Sequence, residues 1–278
     1  IESQATLTNT LGVMTEYVYN LPESSLDRTH SLRLVCAVPI SKEWAENFQR
    51  RFDTKLYQAF GMTESGIVYW GDIGDDELVP GCAGYLRSDL YETVIANPEN
   101  DEVLEAGCVG ELLIRPRHAG IFSTGYFEMP EKTLEAWRSL WFHTGDACFF
   151  DAKGRMHYFD RIKDCIRRRG ENISAYEVEQ ALNSFDGIIE SAAIGVKTID
   201  SGGEEEILVF IVVFEEATFV YERLIEFCSK IMPRFAVPRF VKIVKRMPKT
   251  SSGKLSKSEF REKGLLVNPW DSRNGSNP

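Results

Sequence analysis

Four stretches of the 278-residue sequence bring together residue types that could do chemistry. Tyr57-Gln-Ala-Phe60-Gly61-Met-Thr63-Glu64 supplies a ring able to stack on a base and a glycine that lets backbone approach a ligand. The same stretch adds a hydroxyl for a phosphate oxygen and a carboxylate for Mg²⁺. Trp141-Phe-His143-Thr-Gly-Asp146 ends in an Asp after a Gly turn, a usual partner for ribose hydroxyls. Asp160-Arg161-Ile-Lys163-Asp164, continuing through Arg167-Arg168-Arg169-Gly170 to Ser174, concentrates charge that suits an anion site or a hinge. Met247-Pro-Lys249-Thr250-Ser-Ser-Gly253-Lys254 presents an ammonium from a Ser/Gly turn. It is not a phosphate loop, which needs Gly where Pro248 stands and Ser or Thr where Leu255 stands. Taken singly, each stretch has a plainer reading that outweighs the functional one: a strand end and turn, a Gly turn, a solvated charged face, an exposed loop.

The elements that must carry these residues follow from apolar spacing and breakers. Leu7, Leu11, Met14 and Val18 recur at helical spacing and predict a helix over residues 5–19. A buried strand is predicted over 32–38, a helix capped by Ser41 to about Phe52, and a strand over 56–60. That order is an α/β unit, with Gly61 to Gly66 just past a strand's carboxyl end, where ligands sit in open α/β sheets. From about Gly66 to Asp160 short β-prone runs (91–96, 110–115, 147–150, 155–159) alternate with Gly, Pro, Asn and Asp turns, and Asp151-Ala-Lys-Gly154 reads as a hairpin turn. After Arg161 the pattern is helix (174–183), strands (188–196 and 207–214), helix (219–232), strand (239–244) and a short helix near 256–263. The fold class expected is therefore α/β plus α+β. A first domain over 1–160 combines the α/β unit with a β-rich subdomain, a small α+β domain covers 161–267, and 268–278 is a frayed tail.

With 32 Lys and Arg against 42 Asp and Glu, the chain carries a net charge of −10, which argues against nucleic acid or an anionic membrane as a partner. The deficit lies in the first 160 residues; the remainder is weakly basic. No apolar run is long enough to span a bilayer. Six scattered cysteines, Cys36, Cys82, Cys108, Cys148, Cys165 and Cys228, form no C-x-x-C pair or metal spacing and read as inert thiols in a reducing cytoplasm. The chain opens at Ile1, and its first residues read as the middle of something longer, a fragment or a processed chain.

The order of the four stretches, Phe60 to Glu64, Trp141 to Asp146, Asp160 to Ser174 and Pro248 to Lys254, resembles the carboxyl-terminal half of an adenylate-forming enzyme. That superfamily holds acyl-CoA synthetases, peptide-synthetase adenylation domains and luciferases. Gly110-Glu-Leu-Leu-Ile-Arg115 and Gly125-Tyr-Phe-Glu-Met-Pro-Glu-Lys-Thr133 are similar to further signatures, so the resemblance runs from about Ala5 to Arg261. Arg168-Arg-Gly-Glu-Asn-Ile-Ser-Ala-Tyr-Glu-Val-Glu179 most resembles the crotonobetaine/carnitine-CoA ligase group.

The resemblance implies an ATP-dependent acyl-CoA ligase that joins a small-molecule carboxylate to ATP and passes the acyl group to coenzyme A, with ATP, Mg²⁺ and coenzyme A required. It implies that Phe60 and Gly61 line the adenine site, that Thr63 touches the α-phosphate, and that Glu64 binds the metal. Asp146 and Arg161 would take the ribose, Lys254 would bridge carboxylate and α-phosphate, and Lys163 would be the pivot of a mobile small domain. Arg167, Arg168, Arg169 and Gly170 would meet coenzyme A.

The sequence departs from the pattern at four places. Cys36-Ala-Val-Pro39 replaces a small-residue motif, Leu140 stands for a usual Gly, Lys257 stands where Arg often follows the lysine, and the family's Ser/Thr/Gly-rich phosphate loop is absent. The chain alone is therefore expected not to adenylate. The rival readings are an adenylation domain that loads a carrier protein, and a non-catalytic fragment binding a nucleotide or a partner.

Overall fold

The computed structural model describes residues 4–40, 42–71, 78–198, 203–215, 218–249 and 255–275. It divides into two compact units, Ile1–Phe159 and Asp160–Pro278. The mixture of α/β and α+β layers expected from the sequence is what the chain forms.

The first unit opens with β1 (Leu7–Leu11), α1 (Gly12–Tyr19), β2 (Leu34–Val38), α2 (Lys42–Phe52) and β3 (Lys55–Tyr57). These strands make a parallel sheet in the order β1-β2-β3, the product of a strand–helix–strand chain. On α2, Trp44, Ala45, Phe48 and Phe52 fall on one face and pack over Val35, Ala37 and Leu56. Arg51, on the same helix, donates to the carbonyls of Tyr19, Leu21 and Pro22 and to Asp27, tying down the connection before β2.

The helix expected from Ala5 is only half present. Leu7 to Leu11 pairs in parallel with Leu34 to Val38, so tertiary pairing overrides a helical spacing built on four residues. The chain turns into α1 at Gly12, where a Cβ would meet the Pro39 carbonyl oxygen at 2.0 Å.

A second, antiparallel sheet contains β4 (Ala59–Met62), β5 (Gly66–Trp70), β6 (Cys82–Leu86), β7 (Tyr91–Ala96), β8 (Gly110–Pro116), β9 (Trp137–Arg138), β10 (Trp141–Phe150) and β11 (Met156–Arg161); α3 (Pro130–Ala136) precedes β9. Its order is β4-β5-β6-β11-β10-β8-β7, with β9 on β10. The single strand expected over 56–60 is thus two: Lys55–Tyr57 ends the parallel sheet, and Ala59–Met62 begins the antiparallel one. Asp151 to Gly154 closes the β10–β11 hairpin as expected, the Gly154 N–H donating to the Asp151 carbonyl at 2.9 Å.

Early in the second unit a hairpin of β12 (Cys165–Arg168) and β13 (Glu171–Ser174) carries the charge concentrated in this stretch. Arg169 and Gly170 at its tip both take positive φ, 55° and 80°, the backbone a two-residue primed turn requires. α4 (Ala175–Asn183) follows, its first turn capped by Ser174, which accepts from the Glu177 N–H at 3.2 Å. A four-stranded sheet then runs β14 (Ile188–Lys197), β15 (Glu205–Val213), β16 (Phe240–Ile243), β17 (Trp270–Asp271), with α5 (Tyr221–Ile231) before β16 and α6 (Ser258–Lys263) after it. Alternation along β15 builds two cores. Ile207, Val209 and Ile211 join Val178, Leu182 and Leu224, while Leu208 and Phe210 face Phe260, which stacks on Phe210 at 3.9 Å.

The tail expected to fray from Asn268 instead supplies β17. Trp270 stacks on Tyr221 at 5.0 Å and Asp271 pairs with Arg239 at 3.1 Å, both tail residues buried. Residues 276–278 lie outside the described residues.

Candidate functional site

The first candidate stretch lies on a strand and a tight turn. Phe60 and Gly61 belong to β4, which shifts register against β5 between these two residues. The Gly61 backbone passes so close to β5 that a Cβ would meet the Gly66 carbonyl oxygen at 2.3 Å. The Phe60 ring, partly buried, lies 6.5 Å from Tyr158 in a stacked arrangement and 6.4 Å from Tyr69 edge-on. Met62 to Ser65 then forms the turn, with the Ser65 N–H donating to the Met62 carbonyl at 3.3 Å, and Thr63 exposed upon it.

Glu64 is fixed by two residues without a site role in the sequence reading, Ser123 and Tyr126. The Tyr126 hydroxyl donates to Glu64 Oε1 at 2.8 Å, and the Ser123 N–H donates to the Glu64 carbonyl at 2.7 Å. One residue before Ser123, the Phe122 ring packs 4.9 Å from Phe142 on β10. A continuous run of contacts therefore joins the Thr63–Glu64 turn to the strand that carries Asp146. Among the described residues no group of three or more His, Cys, Asp or Glu could hold a metal by itself. A lone carboxylate with a free coordination position does fit Mg²⁺, which takes one or two carboxylates and completes its shell with phosphate oxygens and water.

On β10, Phe142 and His143 pair with Ile114 and Leu113, and the register resumes only at Ala147 opposite Glu111. Three residues, Thr144, Gly145 and Asp146, thus bulge against Leu112 alone. The Thr144 hydroxyl donates to the Leu112 carbonyl at 2.8 Å and accepts from the Asp146 N–H at 3.0 Å. Gly145 takes a φ of 69°, and its N–H donates to Glu111 Oε1 at 2.9 Å. Asp146 is buried.

In the second unit Asp160 is a helix-capping residue. Its Oδ2 accepts from Ser174 Oγ at 3.0 Å and from the Tyr176 N–H at 3.1 Å, and its Oδ1 from the Arg161 N–H at 2.7 Å. Arg161 is exposed, and Lys163 is exposed on a single 3-10 turn, Ile162–Asp164. Asp164 pairs with Arg261.

Arg168 requires a correction. It is buried, and its guanidinium donates to the carbonyls of Phe235 and Val237 at 2.8 Å and pairs with Glu206 at 2.6 Å. Alternation along β12 turns it inward and leaves its neighbours Arg167 and Arg169 exposed. The N–H groups of Arg169 and Gly170 are occupied by the two carboxylate oxygens of Glu204, another residue the sequence reading passed over.

Lys254 lies outside the described residues, with Thr250 to Gly253. Its described flanks meet: Lys249 and Leu255 form an antiparallel bridge, and the Ser256 N–H donates to the Pro248 carbonyl at 2.9 Å. Beyond them Lys257, in the place where Arg often stands, pairs with the buried Glu179 at 2.6 Å. Burial pushes the Glu179 carboxyl above its ordinary range, partly opposed by Lys257.

Burial pushes Cys165 up to about 12 and Cys228 up to about 11, leaving neither thiolate at neutral pH. A cavity of about 530 Å³ lined by residues in and around β3 and β6, among them Thr54, Gln58 and Cys82, reaches Tyr57 but not Phe60, Gly61, Thr63, Glu64 or Asp146. Among the described residues no helix is long and apolar enough to cross a membrane.

Two family models match the chain: AMP-binding enzyme over residues 2–127, and AMP-binding enzyme C-terminal domain over residues 177–254. Among curated proteins, a crotonobetaine/carnitine–CoA ligase of Escherichia coli O8 is 33% identical over 265 residues, covering 93% of this chain and 50% of that protein. Among solved structures, ATP-bound MatB from Rhodopseudomonas palustris superposes with a TM-score of 0.77 at 25% identity, over 94% of this chain and 51% of that one. The O-succinylbenzoate coenzyme A synthetase MenE from Bacillus subtilis, in complex with ATP and magnesium ion, shares the fold with a TM-score of 0.75 at 21% identity, over 91% of this chain and 51% of that one. The chain spans about half the length of the curated relatives it matches.

Proposed function

The chain belongs to the adenylate-forming, AMP-binding enzyme family, and from that premise we propose that it is the carboxyl-terminal half of an AMP-forming acyl-CoA ligase. The reaction would convert a carboxylate, ATP and coenzyme A to acyl-CoA, AMP and pyrophosphate through an acyl-adenylate. The observation that carries this reading is the run of contacts from Glu64 through Ser123 and Phe122 to Phe142, which ties the phosphate-side turn to the strand of Asp146 within one unit.

The chemistry demands charge management, because an anionic carboxylate attacks an anionic α-phosphate. Thr63 would donate its hydroxyl to an α-phosphate oxygen, and Glu64, held by Tyr126, would keep one oxygen for Mg²⁺. A bound Mg²⁺ supplies Lewis-acid neutralisation of phosphate charge. Phe60, already among aromatic rings, would add its face to an adenine, and Asp146 and Arg161 would take the ribose hydroxyls. Lys254 would supply a point charge on a long stem between substrate carboxylate and α-phosphate.

For the second half-reaction Lys163 would be the pivot of a small domain comprising the second unit. Its withdrawal of Lys254 would bring the β12–β13 hairpin to the acyl-adenylate. There Arg167 and Arg169 would meet the phosphates of coenzyme A, and Gly170 would let the hairpin tip approach the thiol's path; Arg168 is left out because its guanidinium is buried and directed at Phe235, Val237 and Glu206 inside the unit. The substrate proposed is a carboxylate of the crotonobetaine/carnitine type, on the strength of the 33% identity to that ligase. A panel of carboxylic acids, tested with the full-length protein that contains this chain, ATP and coenzyme A, reads the function as AMP release. Release stimulated by a carnitine-type acid supports the reading, and release with none of the acids rejects it.

A further inference from the structure

Gly110-Glu-Leu-Leu-Ile-Arg115 contains one residue that its surroundings do not explain. β8 is buried from Gly110 to Ile114, and Glu111 puts a carboxylate into that apolar run with about 5% of its surface exposed. A buried charge is retained only where it is fully partnered. Glu111 is partnered by the bulge opposite and by residues beside it: Oε1 accepts the Gly145 N–H at 2.9 Å, and Oε2 faces His143 Nδ1, just before the bulge, at 2.9 Å and Arg138 of β9 at 3.3 Å. A carboxylate Glu111 only accepts, so its contact with His143 is a hydrogen bond in the tautomer that carries the proton on Nδ1.

The bulge explains why such a residue is needed. Where Thr144, Gly145 and Asp146 face Leu112 alone, the ladder cannot satisfy every N–H on β10. Thr144 takes the Asp146 N–H and Glu111 takes the Gly145 N–H, so side chains replace the missing strand bonds on both sides of the Gly145–Asp146 peptide. Gly145 sits at a φ of 69°, where no Cβ restricts it, and its hydrogen bond to Glu111 is a direct restraint on that conformation.

We propose that Glu111 is a positioning residue: its carboxylate clamps Gly145 in the left-handed conformation and thereby sets the direction in which Asp146 meets the ribose. The assignment of Asp146 to the ribose rests on the function proposed above; the clamp itself rests on the bulge alone.

Two measurements on the full-length protein that contains this chain separate these layers. The first is amide exchange resolved at single residues. In Glu111→Ala the Gly145 amide loses about tenfold or more of its protection while Leu113 and Phe142 keep theirs. In Glu111→Gln, whose amide can accept from Gly145 and donate to the other His143 tautomer, protection is kept. The second is calorimetric binding of AMP and of 2′,3′-dideoxy-AMP. Asp146→Ala and Glu111→Ala each lower AMP affinity about tenfold, the range of a lost charge-assisted hydrogen bond. The double variant binds no more weakly than Asp146→Ala, dideoxy-AMP affinity is unchanged throughout, and Glu111→Gln stays within about threefold of the parent.

Unchanged Gly145 protection in Glu111→Ala overturns the clamp. Equal losses for AMP and dideoxy-AMP, or additive losses in the double variant, overturn its action through Asp146. If Asp146→Ala binds AMP like the parent, or the parent does not bind it, the ribose reading fails and Gly145 exchange alone judges the clamp. Should Glu111→Ala not fold, Glu111→Asp, one methylene too short to reach both partners, takes its place with the same expectations.

Discussion

Tyr126 donates its hydroxyl to Glu64 Oε1 at 2.8 Å across 62 positions of sequence, so the carboxylate proposed to meet Mg²⁺ is aimed by a residue from the segment preceding α3. Tyr126→Phe keeps the ring and removes only this bond. A net hydrogen bond of ~1 kcal/mol predicts a roughly fivefold weaker apparent affinity for Mg-ATP, with less than about 1 kcal/mol change in unfolding free energy. Titration of Mg-ATP into the full-length protein checks this; unchanged affinity removes Tyr126 from the site.

Arg168 and its neighbours on β12 should separate cleanly. Arg168→Ala removes one of the three guanidinium groups that pair with the buried Glu206, leaving Arg239 and Arg273, and strips the Phe235 and Val237 carbonyls of their donor, so unfolding of the second unit is expected to become easier by about 2–3 kcal/mol. Exposed Arg167→Ala should change stability by less than about 0.5 kcal/mol while raising the KM for coenzyme A. Denaturant melts with coenzyme A kinetics decide; a stable Arg168→Ala protein with a raised coenzyme A KM would return Arg168 to the binding set.

Asp151 gives the first unit an acid-sensitive contact. Burial pushes its carboxyl up, but hydrogen bonds from His157, from the Arg155 backbone and guanidinium and from the Lys153 N–H outweigh this and hold it well below the usual carboxylate range. A carboxyl depressed in the folded state contributes stability that is present above its unfolded value, near pH 4, and is lost as pH falls further. Asp151→Asn should therefore be less stable than the parent by about 1 kcal/mol at pH 7, with the gap closing below about pH 4. A gap that is constant from pH 7 to pH 2.5 would contradict this.

The sequence displayed most clearly what local pattern determines. Along β15 the alternation of Ile207, Val209 and Ile211 with Leu208 and Phe210 marks a strand buried on both faces, and Asp151-Ala-Lys-Gly154 spells its own turn. Phe60, Glu64 and Asp146 stood out because their residue types suit a nucleotide, and the ordered motifs gave them a common context. What stayed hidden depends on partners distant in sequence. Leu7 to Leu11 reads as helix until β2 is beside it, and Trp270 reads as tail until it meets Tyr221. Arg168 cannot be told from Arg167 until a hairpin assigns them opposite faces. Glu111 stood in the Gly110 to Arg115 signature without a role, and its trace there is a carboxylate inside an apolar strand.

On the proposed function, a lysine of the second unit serves adenylation and not thiol transfer. In the full-length protein, Lys254→Ala should lower carboxylate-dependent ATP–pyrophosphate exchange by about 10²–10³, the scale of one lost transition-state contact. Conversion of a supplied acyl-adenylate to acyl-CoA should proceed at close to the parent rate. Equal loss of both half-reactions would contradict the account.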